Sequence, residues 1–269
     1  MNLPSPHCHA CRDGAELFRF TMAFQPVLDL DARRIDAYEA LVRGPGGEGA
    51  DTVLAQVTEV NRYTFDQACR VKAIELAAAL GLGGPGEHAR LNINFLPNAV
   101  YTPAACIKST LVAARRTGFP LERLTFEVVE QQEMTLASVT HLRGIVEEYR
   151  RHGFKVALDD FGNGHSGLSR LAELGPDIVK IDRVLIQDCD RHPRRLAIIA
   201  GMIALCRDIG IKPVMEGVET EAELAALRAA GARYMQGYYF ARPAFEALPG
   251  EDAVRWPEGA GVALPAAGV

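Results

Sequence analysis

The stretch "VALDDFGNGHSGL", Val156 to Leu168, runs a short apolar segment straight into two adjacent aspartates, Asp159 and Asp160, with a glycine-rich turn immediately after. Asp, Gly and Asn are turn formers, so a plain turn at a strand end is one reading. A metal site at the mouth of a buried strand is the other. The runs on either side decide between them.

Working outward, similar short runs recur: "MAFQPVLDL", "IDAYEALVR", "RLNINF", "LTFEVVE", "KVALDD", "DIVKID", "KPVMEG" and "RYMQGYYF". Most are β-branched or aromatic enough for strands. The segments between them carry helical periods. In "RRLAIIAGMIALCRDIG", Leu196, Ile199, Ile203 and Cys206 fall on one helical face. Thr220 and Glu223 form a capping box, and Gly231 is placed to close the same helix. Repeated strand–helix alternation predicts an α/β protein with a parallel sheet. Eight strand candidates over roughly 225 residues fit a TIM-like β/α barrel; a doubly wound open sheet is the structural alternative. The first two runs are joined only by "DARR", too short for a crossover helix. That pair is therefore expected to be antiparallel, and the barrel irregular at its start.

The chain of 269 residues is 48% apolar and 23% charged, with a net charge of -5. This is the composition of a globular protein with a full core. The mild acidity argues against a general binder of nucleic-acid polymers. No run approaches a membrane span, and the N-terminus lacks an apolar secretory core, so the expected setting is cytoplasmic, away from the membrane. Cys69, Cys106, Cys189 and Cys206 are scattered and fit reduced thiols. Residues 1–17 read as a tail holding a Cys/His cluster, 18–246 as one domain, and 247–269 as a Pro/Gly/Ala-rich tail. The cluster His7, Cys8, His9 and Cys11 invites a zinc or redox reading, but its spacing matches no standard zinc finger and a tail is the plainer one.

Polar residues keep recurring where the strands finish. Glu39, Asn94, Glu127, Asp159, Asp160, Lys180, Glu216 and Gln236 all sit on or at the end of a strand run. In a barrel those ends converge on one rim, where catalytic groups collect. A single Glu there is easily a solvated or capping residue; five carboxylates with an Asn and a Lys are not. Without cations they would repel one another and their pKa values would rise. An all-oxygen set favours Mg²⁺ or Mn²⁺ over zinc. No zinc helix of the HExxH type, phosphate loop or nucleophile elbow is present.

"YEALVR", "NINFLP", "FEVVE", "LDDFGNGHSGL", "DIVKID", "EGVET" and "QGYYFARP", in that order, resemble the EAL domain family over about Phe18 to Phe245. That family hydrolyses the bacterial second messenger cyclic di-GMP. The resemblance implies a metal-dependent phosphodiesterase giving linear pGpG by water attack with two divalent ions, Mg²⁺ or Mn²⁺, in a homodimer. It implies that Glu39, Asn94 and Glu127 ligate the first ion, that Asp159 bridges both, and that Asp160 and Glu216 lie on the second ion's side. It implies that Lys180 contacts the attacking water, that Glu219 braces the loop after the paired aspartates, and that Gln236 sits near the water and metals. Arg43, at a phosphate, and Gln25 are implied to touch the substrate. Plainer roles stand beside these: Arg43 as a surface ion-pair partner, Gln25 as a polar strand end, Glu219 as a helix-start acid. Glu130 and Asp182 are expected to support the site without touching the reaction. Departures from the family pattern are Gly44 where many members carry Trp, Leu96 for Ser and Val129 for Thr; none removes a ligand. The paired-aspartate loop keeps Ser166. Competing functions are a non-catalytic cyclic di-GMP receptor or interaction module, and an unrelated metal-dependent barrel enzyme.

Overall fold

The computed structural model describes residues 17–100, 102–128, 136–162 and 167–257. The His7/Cys8/His9/Cys11 cluster, Val129, Glu130 and Ser166 lie outside the described residues. Eight strands form a closed ring: β1 (Thr21–Asp29), β2 (Arg34–Arg43), β3 (Arg90–Phe95), β4 (Leu124–Val128), β5 (Lys155–Phe161), β6 (Ile178–Ile181), β7 (Lys212–Met215) and β8 (Tyr234–Met235). From β2 to β8 every neighbouring pair is parallel. β1 runs against both β2 and β8 and closes the barrel. This is the expected TIM-like barrel with an antiparallel first pair, because a four-residue turn cannot carry a crossover.

Around the ring lie α1 (Ala50–Leu54), α2 (Arg62–Ala79), α3 (Pro103–Cys106), α4 (Lys108–Thr117), α5 (Leu136–Arg151), α6 (Gly167–Leu174), α7 (Arg183–Ile186), α8 (Pro193–Asp208) and α9 (Glu221–Ala229). α8 buries Ile199, Ile203 and Cys206, with Leu196 half-buried beside them. α9 starts with the capping box of Thr220 and Glu223. The large core fills the space between strands and helices. A second, small apolar cluster of Val27, Ala37, Ala157, Ile178 and Val214, with Tyr234 against it, comes from alternate strand positions. Alternation makes these the inward-facing residues of the ring.

A buried cation sets the height of β3 against the helices. Arg70 of α2 is fully buried, 2.5 Å from Asp66 and donating to the Tyr149 hydroxyl of α5 at 2.5 Å. Its guanidinium lies over the rings of Phe95, Phe126 and Tyr149. Asp66 in turn accepts the backbone N–H of Leu96, just past Asn94.

Two features depart from the strand pattern in the sequence. "RYMQGYYF" is strand only at Tyr234–Met235. The chain then turns because Gly237 packs on the Val218 backbone; a Cβ there would fall 2.0 Å from the Val218 oxygen. A two-residue strand, β9 (Ala244–Phe245), pairs with β1 and is too short to announce itself by periodicity. Beyond it, residues up to 257 lie against the barrel: the Tyr38 hydroxyl donates to the Pro249 carbonyl at 2.7 Å, and Val254 is buried.

Closure at β1–β8 is fastened by Asp29, which is fully buried and accepts from Arg233 Nε at 2.7 Å and Nη2 at 2.6 Å. Burial works against its charge, but the Arg233 bonds and the Ala32 amide outweigh it and hold the carboxyl below its ordinary value. A depressed folded pKa gives stability above the unfolded value that is lost as pH falls through the folded one. Asp29→Asn is therefore expected to cost about 1–3 kcal/mol at pH 7. In urea unfolding the gap should narrow below about pH 4; a gap unchanged down to pH 3 would contradict this role.

Candidate active site

The site is one inward step above the apolar plug. Ala37 is followed two residues later by Glu39, Ala157 by Asp159, Ile178 by Lys180, Val214 by Glu216 and Tyr234 by Gln236. On β1, which runs the other way, Gln25 precedes Val27 by two. Side chains two apart on a strand share a face, so the period that buries the plug also delivers these polar groups to one mouth. Asn94 and Glu127 are paired neighbours on β3 and β4 at the same rim.

Lys180 sits among them, 2% exposed. Its Nζ lies 2.8 Å from Glu216, 2.9 Å from Glu127, 3.3 Å from Asp159 and 3.4 Å from Glu39. Amides complete the web. Gln236 Nε2 donates to Glu39 at 2.8 Å and Asn94 Nδ2 to Glu39 at 3.0 Å; Gln236 Nε2 also reaches Gln25 Oε1 at 3.2 Å. Burial lowers the tendency of Lys180 to stay charged, but the four carboxylates outweigh it and raise its pKa well above normal. Glu39 is pulled below the ordinary range, because Lys180 and the two amides overcome its burial. Glu127 and Glu216 go the other way, raised by burial and by the neighbouring carboxylates beyond what Lys180 can offset.

Asp160 joins Asp159 by a backbone device. It takes φ +54, and the β5–β6 register shifts between Leu158 and Phe161. A residue in regular strand geometry would point away from its neighbour's side; the left-handed turn lets both carboxylates line one cleft. Gly162 follows at φ +108, a backbone conformation that side-chain-bearing residues rarely adopt. Burial, then the charges of Asp159 and Asp182, push the Asp160 carboxyl up to about 6. Asp182 also caps α7 by accepting the Val184 N–H at 2.7 Å.

Glu219 lines the same cleft of about 340 Å³ but is exposed, paired with Arg183 Nη2 at 2.8 Å. Its backbone N–H donates to Glu223 at 2.9 Å, so the α9 capping box steadies the loop carrying Glu216. Arg43 is not brought to the carboxylates. It lies four residues beyond Glu39 on β2, roughly 13 Å further along the strand, and its Nη1 donates to the Val42 carbonyl. Asn92, which opens "NINFLP", and Arg183, which follows "DIVKID", also reach the site, although neither is among the expected site residues. The period-2 spacing of Asn92 from Asn94 was the available signal for the first; Arg183 has none.

Four carboxylates surround one buried ammonium and Asp160 lies in the same cleft, so carboxyl groups outnumber the cation. Oxygen atoms of Glu39, Glu127 and Asp159 lie within 4.8 Å of one another. This oxygen-only set has the donor chemistry that suits a hard divalent cation such as Mg²⁺ or Mn²⁺. Such a centre can hold an anionic ester and activate a water.

A family model described as the EAL domain matches residues 10–243. The fold is similar to a standalone versatile EAL protein from Vibrio cholerae O395 in its c-di-GMP bound form. That likeness has TM-score 0.82 and 49% identity, covering 88% of this chain and 96% of that one. It is also similar to Klebsiella pneumoniae BlrP1 in a manganese/cy-diGMP complex, with TM-score 0.75 and 33% identity over 86% of this chain and 58% of that one. The probable cyclic di-GMP phosphodiesterase PdeN of Escherichia coli is 28% identical over 88% of this chain and 45% of its own length. The chain spans about half the length of the curated relatives it matches, or less.

Glu127 is fully buried, and burial with the neighbouring carboxylates disfavours its charged form. Glu127→Gln should raise the thermal midpoint of metal-stripped protein by several degrees at pH 7.5 while weakening Mn²⁺ binding. A lower midpoint would show that the carboxylate stabilises the fold instead.

Proposed function

The chain belongs to the EAL domain family, and from that premise we propose that it is a metal-dependent phosphodiesterase hydrolysing cyclic di-GMP to linear pGpG. The observation that carries this reading is the convergence of Glu39, Glu127 and Asp159 oxygens within 4.8 Å beside a buried lysine. The similar structures that contain cyclic di-GMP, one of them with manganese, support it. Glu39, Asn94 and Glu127 would hold one divalent ion, Asp160 and Glu216 a second, with Asp159 shared. Two Mg²⁺ or Mn²⁺ ions bound there supply charge for the phosphodiester and an acidified water.

The chain's own residues do the rest. Lys180 orients the attacking water and stabilises its deprotonated form. Its four carboxylate partners keep it charged and fixed. Gln236 and Gln25 hold the Glu39 side of the cleft and present amides to substrate. Arg43, further along β2, takes a phosphate oxygen and sets the ester in line with the water. Glu219, anchored by Arg183 and the α9 cap, steadies the rim. Residues 18–246 are the catalytic unit in this reading, and homodimer assembly and a cytoplasmic setting belong to the same proposal. No helix among the described residues is long and apolar enough to cross a membrane.

Purified protein incubated with cyclic di-GMP and Mg²⁺ or Mn²⁺ should yield pGpG on product separation. Absence of product with both ions sinks the enzyme, and binding without turnover turns the domain into a receptor. Glu39→Ala and Asp159→Ala should each lose on the order of 10²–10³-fold or more in turnover. Arg43→Ala should raise KM about 10–100-fold, the worth of one charge-assisted bond.

A further inference from the structure

We propose that Asn92 is a positioning residue of the metal site: its amide fixes the Glu127 carboxylate and so sets the affinity for divalent cations. This rests on the metal-dependent reading above and extends it to a residue outside the ligand set.

The layer beneath the site shows why Asn92 calls for a cause. On six strands the inward position one step below a site residue is apolar: Val27, Ala37, Ala157, Ile178, Val214 and Tyr234. On β3 and β4 it is Asn92 and Thr125, paired neighbours in the sheet. Thr125 is accounted for, since its hydroxyl accepts from Arg90 Nε at 2.9 Å. Asn92 is 4% exposed, and its Oδ1 has no partner among the described residues. A buried acceptor left unpaired costs about 1–3 kcal/mol, so packing alone would favour a leucine. What the amide does make is one bond, Nδ2 to Glu127 Oε1 at 2.9 Å.

That bond falls on the group whose orientation matters most. Glu127 is fully buried. Its other oxygen, Oε2, accepts from Lys180 at 2.9 Å. One donor on each oxygen stops the carboxylate from rotating, and each oxygen keeps a lone pair free for a cation. The two asparagines of "NIN" divide the work across three strands. Asn94 gives its Nδ2 to Glu39 on β2, and Asn92 reaches diagonally to Glu127 on β4. Without Asn92, Glu127 would follow the pull of Lys180 alone and lose its preset direction. Hydrogen-bond partners of metal ligands are commonly worth 10–100-fold in metal affinity.

The test is titration of metal-stripped protein with Mn²⁺, free ion being followed by electron paramagnetic resonance, on the parent, Asn92→Leu and Thr125→Val. Asn92→Leu should weaken Mn²⁺ binding about 10–100-fold, with a metal-free thermal midpoint no lower than the parent's. Turnover should recover to within a few-fold at saturating Mn²⁺. Thr125→Val, which changes the same layer without touching Glu127, should leave Mn²⁺ affinity unchanged. Asn92→Ala serves for the same reading if the leucine variant does not fold. Affinity within twofold of the parent in the Asn92 variant overturns the proposal. So does equal weakening in Thr125→Val, which would mark general loosening of the barrel. A parent that binds no Mn²⁺ defeats the metal site itself, a result distinct from either.

Discussion

Lys180 holds one positive charge, nearly sealed from water, within 3.4 Å of four carboxylates, three on β2, β4 and β5 and one just past β7. Remove it and those carboxylates face one another in a low-dielectric mouth, where like charges cost far more than at the surface. Keep it and carboxylates still outnumber it, while burial and the neighbouring carboxylates push Glu127 and Glu216 up. One lysine thus holds the cluster together, and protons or the proposed divalent ions would relieve the remaining repulsion. That imbalance links stability to function: the groups that strain the protein are those that would hold its metals.

The barrel carries this strain by separating two cores. The outer one, between strands and helices, is large and apolar and includes the buried Arg70–Asp66–Tyr149 group that fixes the level of β3. The inner one is a thin plug, and the charged layer rests on it. Local devices then aim single residues. The left-handed Asp160 turns a second carboxylate into the cleft. The cap at Thr220 and Glu223 holds the loop after Glu216. The Gly237 contact with Val218 stops β8 where Gln236 must point inward.

Much of this is legible in the chain because strand alternation is strict. An apolar residue two positions before Glu39, Asp159, Lys180, Glu216 and Gln236 marks both the plug and the site, and the short "DARR" link fixes the antiparallel start. What is not legible depends on contacts between distant segments. The early end of β8 needs the Val218 backbone, and β9 needs β1 beside it. The conformation of Asp160 has no composition signal, since a strand that simply ended would also carry two aspartates. Arg183 becomes a partner of Glu219 only when two loops meet. The separation of Arg43 from the carboxylates likewise follows from strand rise, which a motif such as "YEALVR" records only as four residues.

In the proposed phosphodiesterase, Asp159 would be shared by two divalent ions. The most direct test is anomalous diffraction from crystals grown with Mn²⁺ and cyclic di-GMP. Two peaks should appear, both within coordination distance of Asp159, one reaching Glu39, Asn94 and Glu127 and the other Asp160 and Glu216. No peak, or a single peak away from Asp159, would contradict the account.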